Sequence, residues 1–182
     1  MGRNNLGMLN RPAGGGRGIG TVCCLMIAVV AIPSLTGGQV VGEAAEMERL
    51  QARAEEAIAN GDAEGASMHM GKAALMAARL AKQAAALDRQ RDYLAAEALF
   101  RAEEHGYRAL ALFQRAGGQP PASSGVCGSL GLAGQSLGHA RELLDREPDG
   151  AAPVPPFRQG LRTAAARWAG TLDGLREDFQ CP

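Results

Sequence analysis

Apolar residues recur every three or four positions along most of the chain from about residue 43 onward, which is the pattern of amphipathic helices packed on a core. The spacing predicts five helical segments, the first over about 43–59 and the second from about residue 63. In each segment these residues form a stripe, a row of mostly apolar side chains along one face of the helix. From the first segment to the fifth, the stripes are Met47, Leu50, Ala54 and Ala57/Ile58; His69, Ala73, Met76, Leu80, Ala84 and Leu87; Tyr93, Ala96, Phe100, Tyr107 and Leu110; Val126, Leu130, Ala133, Leu137, Ala140 and Leu144; and Phe157, Leu161, Ala164, Trp168, Leu172, Leu175 and Phe179.

Residues that end or cap helices separate most of these segments. Gly and Asn tolerate the left-handed conformation that ends a helix, whereas Asp and Ser cap the next helix and Pro fits its first turn. The predicted stop and cap positions are Asn60-Gly61, Asp62, Gly117-Gly118, Ser123 or Ser124, Pro148 and Pro156.

No such signal separates the second segment from the third. Either a turn lies within Asp88–Asp92, or residues 62–117 form a single helix of about 55 residues that is roughly 80 Å long. Helices of ordinary length are far shorter. We therefore favour the turn, which makes these two segments a helical hairpin.

Composition decides the fold class. After residue 44 the β-branched residues are few: Ile58, Val126, Val154, Thr163 and Thr171. Strands need β-branched and aromatic side chains to fill a pleated surface, so this region is too poor in them to supply a sheet. The sequence predicts an all-α fold, an antiparallel bundle of four to five helices, and excludes nucleotide-binding α/β folds, α/β-hydrolases and β-sandwiches.

The first 44 residues have the order of a secretory signal. Residues 1–17 are basic, an apolar run follows over 22–32, and small residues follow Pro33. Cleavage after Ala44, or after Gly37 or Gly38, would leave a helical domain over about 45–182. The alternative is a membrane anchor through residues 18–35. Either interpretation predicts export of the rest of the chain to the periplasm or outside the cell.

Four cysteines become two if the signal is removed, because Cys23 and Cys24 lie within it. Cys127 falls at the start of the fourth segment and Cys181 just after the fifth. If those helices are antiparallel, the two ends meet, and an oxidising compartment permits a disulfide. Two free thiols, or pairing with another chain, are the alternatives.

Histidine and methionine suggest a possible cofactor site. His69 is flanked by Met68 and Met70, with Met76 further along the helix, and His105 lies on the third segment. Imidazole and thioether bind haem iron and copper. In a hairpin, His69 and His105 are level only if the turn centres on residue 87. The other interpretation is that these side chains flank or fill the core.

Two catalytic motifs occur in unsuitable contexts. Gly14–Gly20 resembles the glycine-rich nucleotide loop of short-chain dehydrogenases, but no strand precedes it. Gly134–Gly138, with Ser136 inside it and His139 next, matches the G-x-S-x-G nucleophile elbow. That elbow needs a strand, whereas Leu130, Ala133 and Leu137 keep helical phase through the motif. The chain therefore lacks a convincing catalytic constellation.

Two features of the helices remain open. Glu103 shares a face with Phe100 and Tyr107, and a carboxylate that is partly buried there would need an Arg or Tyr partner. Glycines recur along the fourth segment at 125, 128, 131, 134 and 138. We interpret them as tight packing against the alanine-rich helices of the same domain; the alternative is a contact face for a partner helix or ligand.

The segment Asp92–Phe100, with Leu80, Ala84 and Leu87 upstream, resembles the middle of a tetratricopeptide repeat over residues 80–103, although Glu103 replaces the next small residue. The resemblance implies a helical-hairpin scaffold for protein–protein contacts and a turn near 88–91. Nineteen basic and nineteen acidic residues argue against a nucleic-acid partner. We therefore expect an exported scaffold or protein-binding module without catalytic activity or a cofactor, the alternative being a haem- or copper-binding bundle.

Overall fold

A computed structural model describes residues 36–146 and 154–182 and contains five helices there and no strand. The helices are α1 (Thr36–Ala59), α2 (Ala63–Gln83), α3 (Leu87–Arg115), α4 (Ser124–Asp145) and α5 (Pro156–Asp178). The predicted all-α bundle is confirmed. The predicted anchor over 18–35, the motif Gly14–Gly20 and the predicted stop at Pro148 lie outside the described residues. Of the predicted signal, residues 36–44 are described and form the start of α1, which therefore begins before the predicted residue 43.

Helix α3 is the centre of the bundle, because it packs against α2, α4 and α5, while α1 packs on α2 and α5 also on α4. Helices that follow each other in sequence run antiparallel, so α3 and α5 run parallel. The core between them is rich in alanine, and its largest fully buried apolar side chains are Met70, Leu80, Leu99, Leu130, Leu144 and Leu172. Small side chains let the helix axes approach closely, and the few large ones fill the remaining space.

Most predicted boundaries are confirmed. Gly61 has φ +80° at the end of α1, and Asp62 caps α2 by accepting a hydrogen bond from the Gly65 amide at 2.8 Å. Pro156 opens α5. Ser123 occupies the N-cap position of α4, but its side chain makes no capping hydrogen bond.

The turn between α2 and α3 lies at Ala84–Ala86, so the prediction of a turn within Asp88–Asp92, and near 88–91, is wrong. Ala84 leaves the helix with an extended backbone, at ψ 120°. Residues 88–92 form the first turns of α3 instead. A helical backbone there directs Asp92 into the protein interior, where it meets a cation from α5.

The apolar stripe of α4 is buried at all six predicted positions. On α5, Leu161, Trp168 and Leu172 are buried as predicted, but Phe157 is 40% exposed. Gly106 of α3 permits the close packing of Trp168, because a Cβ atom at Gly106 would lie 2.7 Å from Trp168 Cζ2.

Aromatic pairs join α3 to α5 along their length. Tyr93 contacts Phe157 with ring centroids 5.6 Å apart, and Tyr107 contacts Trp168 edge to face at 5.2 Å. Phe113 stacks on Phe179 at 4.0 Å. Three aromatic residues of α3 therefore face aromatic residues of α5 and its C-terminal end, and such pairs add about 0.5–1.5 kcal/mol each beyond the apolar area they bury.

Arg158, in the first turn of α5, is the largest fully buried side chain, at 1% exposure. Its Nη1 donates to Asp92 Oδ1 of α3 at 3.1 Å. Its Nη2 donates to the carbonyls of Leu143 at 3.2 Å, Leu144 at 3.0 Å and Arg146. These carbonyls end α4 and have no partner within that helix. One guanidinium therefore joins three helices.

The opposite end of the α4–α5 pair is closed by a disulfide between Cys127 and Cys181, whose Cα atoms are 5.4 Å apart. The antiparallel arrangement brings the two ends together, as the sequence predicts. The bond closes a loop with a sequence separation of 54 residues. The chain-entropy model gives such a crosslink about 4 kcal/mol.

The interpretation of the α4 glycines as tight packing within the domain is wrong for most of them. A Cβ atom at Gly128, Gly131 or Gly138 would meet nothing within 4 Å among the described residues. Gly134 alone is closely approached, by the Arg176 guanidinium of α5. The other glycines lie on the outer side of α4 because its apolar stripe already occupies the inner side.

Replacing Arg158 should destabilise the bundle severely. We expect Arg158→Met to lower the free energy of unfolding by about 3–5 kcal/mol, because it removes the donor of the buried Asp92 carboxyl and of the Leu143 and Arg146 carbonyls, although Arg162 still donates to Leu144. Burial already raises the pKa of Asp92, and Arg158 offsets part of that rise. Urea denaturation measures the effect. The exposed Arg53→Met is the matched control and should change stability by no more than about 0.5 kcal/mol; equal midpoints for the two variants would refute this role.

Candidate functional site

An open groove runs between α2 and α3 on the surface of the hairpin, with a volume of about 470 Å³. We call it the α2–α3 groove. Two apolar side chains of α2, Met68 and Leu75, line it, and each is 52% exposed. They are seven residues apart and therefore on one side of the helix. Large apolar side chains exposed in register on a concave surface indicate a binding site.

The α3 side of the groove carries a row of cations. Arg101, Arg108 and Arg115 are spaced seven residues apart and all line the groove. The row is about 21 Å long, at 1.5 Å per residue. Lys72 of α2 adds a fourth positive charge. Arginine donates in a rigid planar fork that matches carboxylate geometry, so this row is suited to acidic groups.

A buried carboxylate fixes two of these arginines. Glu104 accepts hydrogen bonds from Arg101 Nη1 at 2.7 Å and from Arg108 Nη2 at 2.6 Å. It packs over Gly71 of α2, where a Cβ atom would lie 3.2 Å from its Cδ. Ser67 Oγ donates to the Glu104 main-chain carbonyl at 3.0 Å. The guanidinium groups are therefore held in place on the groove wall.

The groove keeps an excess of positive charge. Its four cations face two carboxylates, Glu104 and Glu64. Glu64 lies 3.7 Å from Arg115 Nη1, and both side chains are more than half exposed. An ion pair exposed to this degree contributes little and exchanges readily. A chain with no net charge overall thus has a locally basic groove.

The residues suggested as haem or copper ligands are not gathered into one site. Met68 lies in the groove while Met70 is buried in the core, and Met76 is half-buried. Because the turn centres near residue 85, His69 and His105 are offset by about four residues, roughly 6 Å along the helices. In residues 42–146 and 154–182, no three His, Cys, Asp or Glu side chains are placed to hold a metal ion.

Both half-buried histidines have a buried Nδ1 without a hydrogen-bond partner among the described residues. Burial lowers the pKa of His105, and nearby Glu104 counteracts part of that effect. His105 is therefore biased toward the neutral form, as expected of a side chain that flanks a core.

Glu103 of α3 belongs to a second cluster of polar side chains, in which Glu55 of α1, Tyr107 of α3 and Arg167 of α5 influence one another electrostatically. The side chain is 7% exposed, and desolvation raises its pKa to about 7, with Arg167 lowering and Glu55 further raising it. Burial, together with Glu103 and Glu55, raises the pKa of Tyr107 to about 12. The sequence predicts an Arg or Tyr partner for Glu103, and Arg167 is the cation whose charge lowers the pKa of this carboxyl.

The motif Gly134–Gly138 is helical throughout, within α4. Its Ser136 is half-buried, and His139 is exposed with Nδ1 3.8 Å from Glu142. The sharp strand-to-helix turn of a nucleophile elbow is therefore missing here. The helical spacing of Leu130, Ala133 and Leu137 predicts this continuous helix.

Sequence reasoning missed the α2–α3 groove. Met68 was expected either to bind a metal or to flank or fill the core, and Arg101 was not among the expected site residues. The seven-residue spacing of Arg101, Arg108 and Arg115 was the available signal, although spacing alone does not show which helix faces this row.

Comparison with known proteins gives no match: no family model, curated protein or solved structure is significantly similar to this chain. No helix in the described part of the chain is long and apolar enough to cross a membrane. The geometry of the α2–α3 groove is therefore the feature that points to a function.

The titration of Glu103 predicts a loss of stability between pH 4.5 and pH 7. Its pKa rises from 4.5 to about 7 on folding, so over this window the folded state keeps a proton that the unfolded state has lost. The protonated Glu103 therefore contributes stability that is fully present below pH 4.5 and is lost as the pH rises through 7. The free energy of unfolding should fall by on the order of 3 kcal/mol over this range.

Urea denaturation of Glu103→Gln across this range measures that loss, because the amide cannot ionise. The wild type should lose about 3 kcal/mol more than the variant. The exposed Glu56→Gln is the control and should follow the wild type. Parallel stability curves for wild type and Glu103→Gln would contradict the assignment.

Proposed function

We propose that the chain is an exported protein-binding module without catalytic activity, and that its α2–α3 groove binds an α-helix of another protein. One observation carries the proposal: Met68 and Leu75 are both half exposed on one side of α2, opposite the arginine row of α3. Exposed apolar side chains in a groove are the usual anchors for a helix bound by its apolar face.

The dimensions of the groove support a helical occupant. The arginine row extends about 21 Å, which is the length of about four helical turns. Met68 and Leu75 are about 10.5 Å apart along α2, the spacing of two helical turns. A third helix that lies along the hairpin would contact both the apolar side chains of α2 and the arginines of α3, because neighbouring helices pack side by side.

Export is the second part of the proposal, supported by the order of residues 1–44 and by the disulfide, since disulfides persist in oxidising compartments. Helix α1 begins at Thr36, but from Gly42 onward the first buried side chain is Met47. From Gly42 onward, cleavage after Ala44 would therefore keep every buried apolar side chain of α1 and remove only the half-buried Ala44 from those that pack on the core.

Export predicts the start of the mature protein. N-terminal sequencing of protein from its host should begin within residues 38–46, and mass spectrometry after alkylation without reduction should find Cys127 and Cys181 unmodified. An intact start at residue 1 or 2 with both Cys127 and Cys181 alkylated would contradict export.

The groove itself is tested by photo-crosslinking in the host. A photoreactive amino acid replaces Leu75 in one variant and Leu132, which is 47% exposed on α4, in a matched control. We expect a discrete adduct at position 75, joined to a helical segment of the partner, and none of that adduct at position 132. The same adduct at both positions, or only at 132, would exclude the groove as the binding site.

A further inference from the structure

We infer that the helix bound by the α2–α3 groove is amphipathic and acidic, with carboxylates spaced seven residues apart along one border of its apolar face. The inference rests on the proposed function and adds the chemistry of the partner. It comes from the placement of two parallel rows, Met68 and Leu75 on α2 and Arg101, Arg108 and Arg115 on α3.

The two rows dictate the pattern of the bound helix. Successive arginines are about 10.5 Å apart along α3, and residues seven apart on a partner helix have the same rise. Carboxylates at that spacing can therefore meet successive arginines at once. Apolar residues beside the carboxylate that meets Arg101 then face Met68, and those one to two turns further along the partner helix face Leu75, so charge and apolar area are matched on one side of one helix.

The arginines keep donors for a partner. Glu104 takes one nitrogen from each of Arg101 and Arg108, whereas a guanidinium has five N–H groups. Arg115 is 59% exposed beside a 72% exposed Glu64, and Lys72 makes no ion pair among the described residues. Glu104 thus orients the row without neutralising it.

The same features favour a peptide over other anionic partners. A nucleic acid or a lipid headgroup would match the arginines, but neither places apolar side chains in a concave groove beside Met68 and Leu75. The groove also lies between two helices and is partly closed by Glu104 and Gly71 at its base. An acidic helix satisfies both rows together.

Fluorescence anisotropy with designed peptides tests the inference, using the full chain. The probe is a labelled amphipathic 21-residue helix with leucines on its apolar face and three glutamates spaced seven residues apart at one border. Two control peptides replace those glutamates by glutamine or by lysine. We expect the glutamate peptide to bind at least about tenfold more tightly than the glutamine peptide, and the lysine peptide not to bind. Higher salt should weaken only the glutamate peptide.

Two protein variants locate the site. Arg115→Gln should weaken binding of the glutamate peptide about two- to fivefold and leave the glutamine peptide unchanged. Arg141→Gln, on the exposed side of α4, is the matched control and should change neither. Leu75→Asp should abolish binding of both peptides while circular dichroism shows unchanged helix content.

Three outcomes would overturn the inference. Equal, Leu75-dependent binding of the glutamate and glutamine peptides would keep the groove as a binding site but remove its acidic preference. Binding of no peptide, with the crosslink at position 75 intact, would mean a partner of other chemistry. Arg115-dependent binding to vesicles of phosphatidylcholine and phosphatidylglycerol, without peptide binding, would assign the groove to a membrane surface.

Discussion

The buried guanidinium of Arg158 is the interaction on which the arrangement of the bundle depends. It binds the Asp92 carboxylate of α3 and the last carbonyls of α4 from the first turn of α5. A charge at 1% exposure is tolerated only when it is paired and hydrogen-bonded. In this mutual orientation the Asp92 carboxylate and the last carbonyls of α4 share one donor, which fixes how α5 lies on the α3–α4 pair.

The disulfide and the aromatic pairs act along the rest of α5. Cys127–Cys181 closes the end opposite to Arg158, and three aromatic contacts join α5 to α3 between the two ends. A buried ion pair, a disulfide and aromatic contacts together fix the position of α5. Because α3 is held on this side, its opposite side is free to form the groove with α2.

The groove combines rigidity with exposure. Glu104 is buried over Gly71 and holds two arginines by hydrogen bonds, while Met68 and Leu75 stay half exposed. A binding surface built on two packed helices loses little conformational entropy when a partner docks. The buried Glu104 carboxylate therefore orders the arginines, while their larger number keeps the groove basic.

Local signals were enough to predict the helices and most of their ends, except the start of α1 and the turn between α2 and α3. The stripe of α4, the Asp62 cap, the Gly61 stop and the opening of α5 at Pro156 follow from side-chain periodicity and backbone preference, which are properties of short segments. The Cys127–Cys181 pair followed from the same helices, because a short connection makes neighbours antiparallel. All-α architecture followed from the scarcity of residues that suit strands.

Tertiary structure alone decided the turn at Ala84–Ala86, the burial of Arg158 and the composition of the groove. Alanine is the best helix former, so nothing local marks that turn. With the turn there, Asp92 lies within α3 and points inward, where it meets Arg158. The sequence supplied Met68, Leu75 and the arginine row, but which helix faces lie side by side depends on contacts between residues distant in sequence. A pattern read along one helix contains no information about them.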